Sequence, residues 1–163
     1  MKTVAEILDR MIAWPGSTVH DIEHLIKVWG YARLIGRLEG LDEHTLFVLE
    51  VAAIVHDIAC PSLRARTGQC NGKLQEREGS PLAAEFLKGM ELPQADIDRV
   101  CFLVGHHHTF TGVDGIDWQI LLEADYLVNA SENHYTRENI RSFAEKICRT
   151  PSGRGLFTSI YHV

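Results

Sequence analysis

The chain has 163 residues, 45% of them apolar and 23% charged, which suffices for one domain with its own hydrophobic core. Its formal net charge of −6 argues against stable binding to nucleic acid or to an anionic membrane surface. A phosphorylated small molecule stays open as a partner, because a bound metal can supply positive charge.

The N-terminal "MKTVAEILDRM" carries acidic residues where a signal peptide would be apolar, and no apolar run reads as long enough to span a membrane. The expectation is a cytoplasmic protein. Cys60, Cys70, Cys101 and Cys148 form no CxxC pair. In a cytoplasmic setting all four are expected to be free thiols.

The pattern is helical throughout, with no alternating strand, repeat or low-complexity linker. A first amphipathic helix covers 3–14, stopped by Pro15 and Gly16. Ser17 or Thr18 caps a second that runs to about Glu39, and Asp42 caps a third ending near Ile58, before Pro61. Residues 60–72 read as a loop, long enough for a lid with Gly68 and Gly72 as hinges. Residues 73–90 are helical, with a restart expected at Ser80-Pro81. Pro93 opens a helix through about His107, a turn-rich "TGVDGID" follows, and Asp117 starts a helix to about Ala130. Shorter helices are expected at 136–149 and 153–161. The expected fold is all-α: one domain over 1–163, a bundle of about six to eight helices.

Several polar residues interrupt apolar stripes. In the third helix Leu46, Leu49 and Ala53 form a face that His56 and Asp57 continue at its last turn. In the second, His24 borders the stripe of Leu25, Val28, Ala32 and Ile35, and His20 lies one turn earlier. Asp125 shares a face with Leu121 and Val128. In "VGHHH", residues 104–108, neighbours on a helix are about 100° apart, so two of the three histidines can reach one cleft but not all three.

Each feature alone has a plainer reading. His20 and His24 fit a solvated face, the histidine run a frayed helix end, and Asp125 a structural carboxylate. Together they favour a metal site between helices, because buried charges are tolerated when they pair or ligate a metal. Imidazoles with carboxylates suit Mn, Fe, Co, Ni or Zn. For a phosphate, Lys73, Arg77, Arg64 and Arg66 are the nearby cations, each also readable as part of a solvated basic stretch. Trp14, Trp29 and Phe157 could support a homodimer, or simply be core.

The ordered set "HDIEHLIKV", "AAIVHDIA", "FLVGHHHTF" and "LLEADYLVNA" resembles the HD-domain superfamily of metal-dependent phosphohydrolases, over about residues 17–131. The segment from about 133 to 163 carries none of these motifs and reads as a C-terminal helical extension. The resemblance implies an HD-like fold and one or two divalent ions (Mn, Fe, Co, Ni, Zn or Mg). Its ligands would be His24, His56, Asp57 and Asp125. Two-metal members carry a further histidine on the helix after the signature, which "KLQEREGSPLAAEFL" lacks. Glu78 stands near that place, so a second ion would take Glu78, His106 and His107. Asp57, His106 and His107 would serve in catalysis, and His20, Lys73 and Arg77 would meet substrate. The implied activity is phosphoester hydrolysis on a nucleotide or related small molecule. The alternatives are a di-iron oxygenase on the same fold and a non-catalytic nucleotide-binding module.

Overall fold

This computed structural model describes residues 3–163, which form nine helices and no strand. They are α1 (Val4–Ile12), α2 (Val19–Leu38), α3 (Glu43–Val55), α4 (Cys60–Thr67), α5 (Gly72–Leu87), α6 (Gln94–Val104), α7 (Ile116–Glu132), α8 (Arg137–Lys146) and α9 (Pro151–Tyr161). The all-α expectation holds. Hydroxyl and carboxylate caps start most helices where the sequence marks them. Thr3 and Thr18 form capping boxes with Glu6 and Asp21, and Asp42 caps α3.

The core is built around α3, which is buried continuously from Val48 to Val55. A helix that is apolar all round must be surrounded, and α1, α2, α6 and α7 pack on it. Gly36 lets α2 approach closely, since a Cβ there would lie 2.8 Å from Leu46 Cδ1. By length and composition the Glu43–Thr67 stretch could cross a membrane, contrary to the sequence reading. In the fold, 83% of its most apolar window is buried as the central core element.

Three local expectations are corrected. The first concerns residues 60–72, which are not an open loop. After α3 the chain makes one tight turn, with Ile58 N–H donating to Val55 O and Cys60 N–H to Asp57 O, and then re-enters a helix. Pro61 stands in the first turn of α4, where its missing N–H costs nothing, and Gly68 ends α4 in the left-handed conformation at φ 75°. Cys60 and Cys70 are joined as a disulfide across this segment, leaving only Cys101 and Cys148 as free thiols. A stapled helix replaces the expected lid.

Second, α5 runs unbroken through Pro81. Third, α6 ends at Val104, so residues 105–108 form a turn instead of a last helical turn. Phe157 is fully buried, while Trp14 and Trp29 are half-buried with their ring N–H groups donating to Ile58 O and Glu50. These aromatics belong to the core.

Candidate metal centre

The turn after α3 carries His56 and Asp57 out of the core, toward α2 on one side and the 105–108 turn on the other. His24 on α2, His56 and His107 are buried, as is Asp125 on α7. Asp57 is 28% exposed and faces the opening.

The polar atoms of these side chains converge. His24 Nε2 lies 3.2 Å from His56 Nε2, 3.4 Å from Asp57 Oδ2 and 3.3 Å from Asp125 Oδ1. His56 Nε2 lies 3.6 Å from Asp57 Oδ2 and 3.4 Å from Asp125 Oδ1. The other Asp57 oxygen, Oδ1, is 3.3 Å from His107 Nε2.

Backbone and carboxylate acceptors fix the far side of each ring. His24 Nδ1 donates to Glu132 Oε2 at 2.7 Å, His56 Nδ1 to Ala53 O at 2.8 Å, and His107 Nδ1 to Val104 O at 2.7 Å. Each Nδ1 therefore keeps its proton, and Nε2 is the nitrogen turned inward, available to a proton or a metal. Lone pairs of two imidazoles and two carboxylates at these separations repel unless a proton or a metal cation lies among them. A donor shell of radius about 2.1 Å has edges of about 3.0 Å in an octahedron and about 3.4 Å in a tetrahedron. Four of the five spacings among these groups, 3.2–3.4 Å, fall in that range, and the fifth, His56 to Asp57, is 3.6 Å. The donor set suits a divalent first-row ion.

The surroundings complete the case. Glu132 also accepts from Lys27 Nζ at 3.2 Å, and Asn129 Nδ2 donates to Asp125 Oδ1 at 2.8 Å. Such outer partners orient the ligands of metal sites. Burial opposes charge on His24, Asp57 and Asp125, but their neighbours hold all three ionised. Hydrogen bonding to Asp125 and the charges of Asp57 and Asp125 overcome burial and raise His24 to about 10. Burial likewise opposes ionisation of Asp57 and Asp125, yet the neighbouring imidazoles hold both well below the usual carboxylate range.

A second group shares Asp57 and adds His107 and His108. Here the sequence reading needs correction. His106 lies apart: its Nδ1 donates to Phe102 O, and its ring stacks on Phe102 at 4.1 Å between centroids. His108 takes its place, with Nδ1 4.0 Å from Asp125 Oδ2. Burial and the nearby His107 push His108 down to about 4, so it is neutral near pH 7. Glu78 is also elsewhere, ion-paired with Arg66 and Arg77. The α5 residue that faces these histidines is Gln75, whose Oε1 lies within hydrogen-bond distance of His107 Nε2 and His108 Nε2. Its Nε2 lies against Cys60 and Cys70 Sγ, at 3.1 and 3.0 Å.

The expected phosphate contacts divide. Lys73 lines an open cavity of about 980 Å³ that reaches Asp125 and His108, and its ammonium has no partner among the described residues. Arg77 points away, and Arg64 forms a two-pronged pair with Asp21. His20 is exposed beside Glu132, its Nε2 3.6 Å from Oε2. The sequence reading missed His108, Gln75, Asn129 and Glu132. The last two were legible, because Asp125, Asn129 and Glu132 follow one another at four and three residues along one helix face.

Fold and site together define a helical bundle with a buried imidazole–carboxylate centre between its helices. The HD domain model matches residues 21–137, and the chain belongs to that family. Two solved structures share the fold. One is a predicted HD superfamily hydrolase from an uncultured Thermotogales bacterium, 24% identical, with a TM-score of 0.68 over 98% of this chain and 83% of that one. The other is a protein from Listeria innocua, 18% identical, with a TM-score of 0.62 over 99% and 91%. No curated protein matches the sequence.

Proposed function

We propose that this protein is a metal-dependent phosphohydrolase acting on a small phosphorylated molecule, a nucleotide or related phosphoester. The observation that carries the reading is the His24–His56 approach at 3.2 Å, with both Nδ1 protons committed to other acceptors. His24, His56, Asp57 and Asp125 would hold the ion. A bound divalent ion lowers the pKa of a coordinated water and polarises a phosphoryl oxygen.

The chain's own residues supply the rest. Asp57 is the partly exposed ligand, so its carboxylate orients the attacking water at the mouth of the site. His107, buried and held by Val104 O, faces Asp57 Oδ1 and fixes it. Lys73 meets the phosphate from the cavity wall. Aromatic and amide side chains farther along the cavity, among them Tyr126, Tyr135 and Asn139, offer stacking and hydrogen bonds to an organic group such as a base. The shared position of Asp57 between two histidine groups allows a second ion with His107 and His108.

The test is a panel of nucleotides and simple phosphoesters with Mn, Co, Ni and Mg, run beside metal analysis and oxygen uptake. Metal-dependent phosphate release supports the proposal. Oxygen consumption with bound iron points to the oxidative alternative, and tight nucleotide binding without turnover to the non-catalytic module; either overturns it.

A further inference from the structure

A second cavity, of about 690 Å³, opens between the 109–115 segment, the start of α7, the end of α2 and the α8–α9 connection. None of the clusters that could hold a metal lines it, among the described residues. What lines it is unused binding capacity. Gln119 is only 5% exposed. Its Nε2 is spent on Glu123 Oε1 at 2.7 Å and Ile147 O at 3.0 Å, which fixes the amide orientation. Its Oε1 is buried with no hydrogen-bond partner. Buried carbonyl oxygens of this kind normally find a donor.

The charged groups at the rim sort by elimination. Asp114 is taken by Arg99, with contacts of 2.9 and 3.2 Å. Glu39 uses one oxygen to accept from Ser152 N–H at 2.8 Å, and its other oxygen is free. The Arg149 guanidinium is exposed and has no partner among the described residues. Phe110 and Ile116, two large apolar side chains left 39% and 45% exposed, supply an apolar wall. The frame is rigid: buried Glu123 accepts from Arg149 N–H, Thr150 N–H and Thr150 Oγ1–H, and so pins the connection that carries Arg149.

We propose that this cavity is a binding site for a small zwitterion with an apolar side chain, in chemical class an apolar α-amino acid. The carboxylate pairs with Arg149, the ammonium pairs with Glu39 and, as the side chains over it shift, donates to Gln119 Oε1, and the side chain covers Phe110 and Ile116. Opposite free charges, an orphaned buried acceptor and an exposed apolar wall among the residues lining one cavity match that class. A plain carboxylate would leave Glu39 and Gln119 unserved, and an amine would leave Arg149 unserved. The site is independent of the proposed hydrolysis, and Phe110 lines both this cavity and the one that reaches Asp125 and His108.

The test is calorimetric titration of the full chain with L-leucine and L-phenylalanine, and with their N-acetyl and C-amide derivatives. Free amino acids are expected to bind saturably one to one. Each blocked derivative is expected to bind at least about tenfold more weakly, having lost one charge-assisted contact. Arg149→Gln and Glu39→Gln are expected to weaken binding similarly with an unchanged thermal midpoint, since Arg149 is unpaired and Gln retains the acceptor for Ser152. Absence of saturable binding overturns the proposal. So does binding that survives both substitutions, and so does equal binding of the N-acetyl derivatives, which would make the site one for simple carboxylates.

Discussion

Glu132 Oε2 accepts the Nδ1 proton of His24 at 2.7 Å, and Glu132 is the last residue of α7, the helix that also carries Asp125. One helix thus supplies a candidate ligand and the group that orients another. Replacing Glu132 by Gln removes the charge that keeps the His24 ring basic toward a metal. The expected outcome is a 10–100-fold loss of metal affinity, of the order such partners typically contribute, with the helical content unchanged. Competition titration with a chelating dye, beside circular dichroism, measures both.

Asp57→Ala removes the carboxylate that the two candidate ligand groups share. Metal retention and turnover are expected to fall together. Elemental analysis of the purified variant decides the matter: a fully occupied site would take Asp57 out of the ligand set.

The raised pKa of His24 gives opposite pH trends for the metal-free and metal-bound protein. The free side chain titrates at 6.5 and the folded one at about 10. The imidazolium therefore stabilises the metal-free fold fully below pH 6.5, and that contribution disappears as the pH rises through about 10. The depressed Asp57 and Asp125 act at the other end, contributing above the unfolded value of 3.8 and losing it as the pH falls through their folded pKa values. An ion must displace the His24 proton, so its affinity is expected to rise about tenfold per pH unit and level off above about pH 10. Melting curves in chelator and metal titrations across neutral to alkaline pH check the two signs. A flat affinity profile would contradict the role of His24.

Lys73→Ala is expected to raise KM for a phosphorylated substrate several-fold with little change in kcat, because the lysine lines the cavity without touching the candidate metal ligands. Arg77→Ala serves as the control, since that guanidinium is engaged by Glu78 on the surface. Steady-state kinetics on both variants distinguishes them.

The Cys60–Cys70 bridge closes a short loop, its cysteines 10 residues apart in sequence. Loop-closure entropy for such a span is worth roughly 2–3 kcal/mol. Cys70→Ser, or reduction, is expected to lower the melting temperature by an amount consistent with that. Thermal melts with and without a dithiol reductant provide the measurement.

The parts of the site that were legible in the sequence are those set by helix periodicity. Asp125 extends the apolar stripe of α7, so its inward direction follows from spacing alone, and the helix caps marked the main elements. His56 and Asp57 continue the stripe of α3, but α3 ends at Val55, short of the expected Ile58, and the turn after it aims them. The errors fall where periodicity stops. The histidine run lies beyond the end of α6, so the 100° rule no longer governed it, and His108 turned inward in place of His106. Pro61 was read as a stop, although proline equally fits a helix start, and Gly68 seven residues on marked the matching end. Gln75 could not be singled out, because a lone glutamine in a polar stretch carries no pattern. Its role depends on α5 and α6 packing together, a long-range fact.

The metal cavity draws its walls from two different parts of the chain. His108 and Asp125 come from the span that matches the HD domain, whereas Asn139, Phe143 and Lys146 come from α8, beyond its last matched residue. The candidate metal ligands and the far wall of the cavity can therefore vary separately. A change of side chains along α8 would alter which organic group fits while leaving the reactive machinery intact, so relatives with different tails should diverge in ligand preference before they diverge in chemistry.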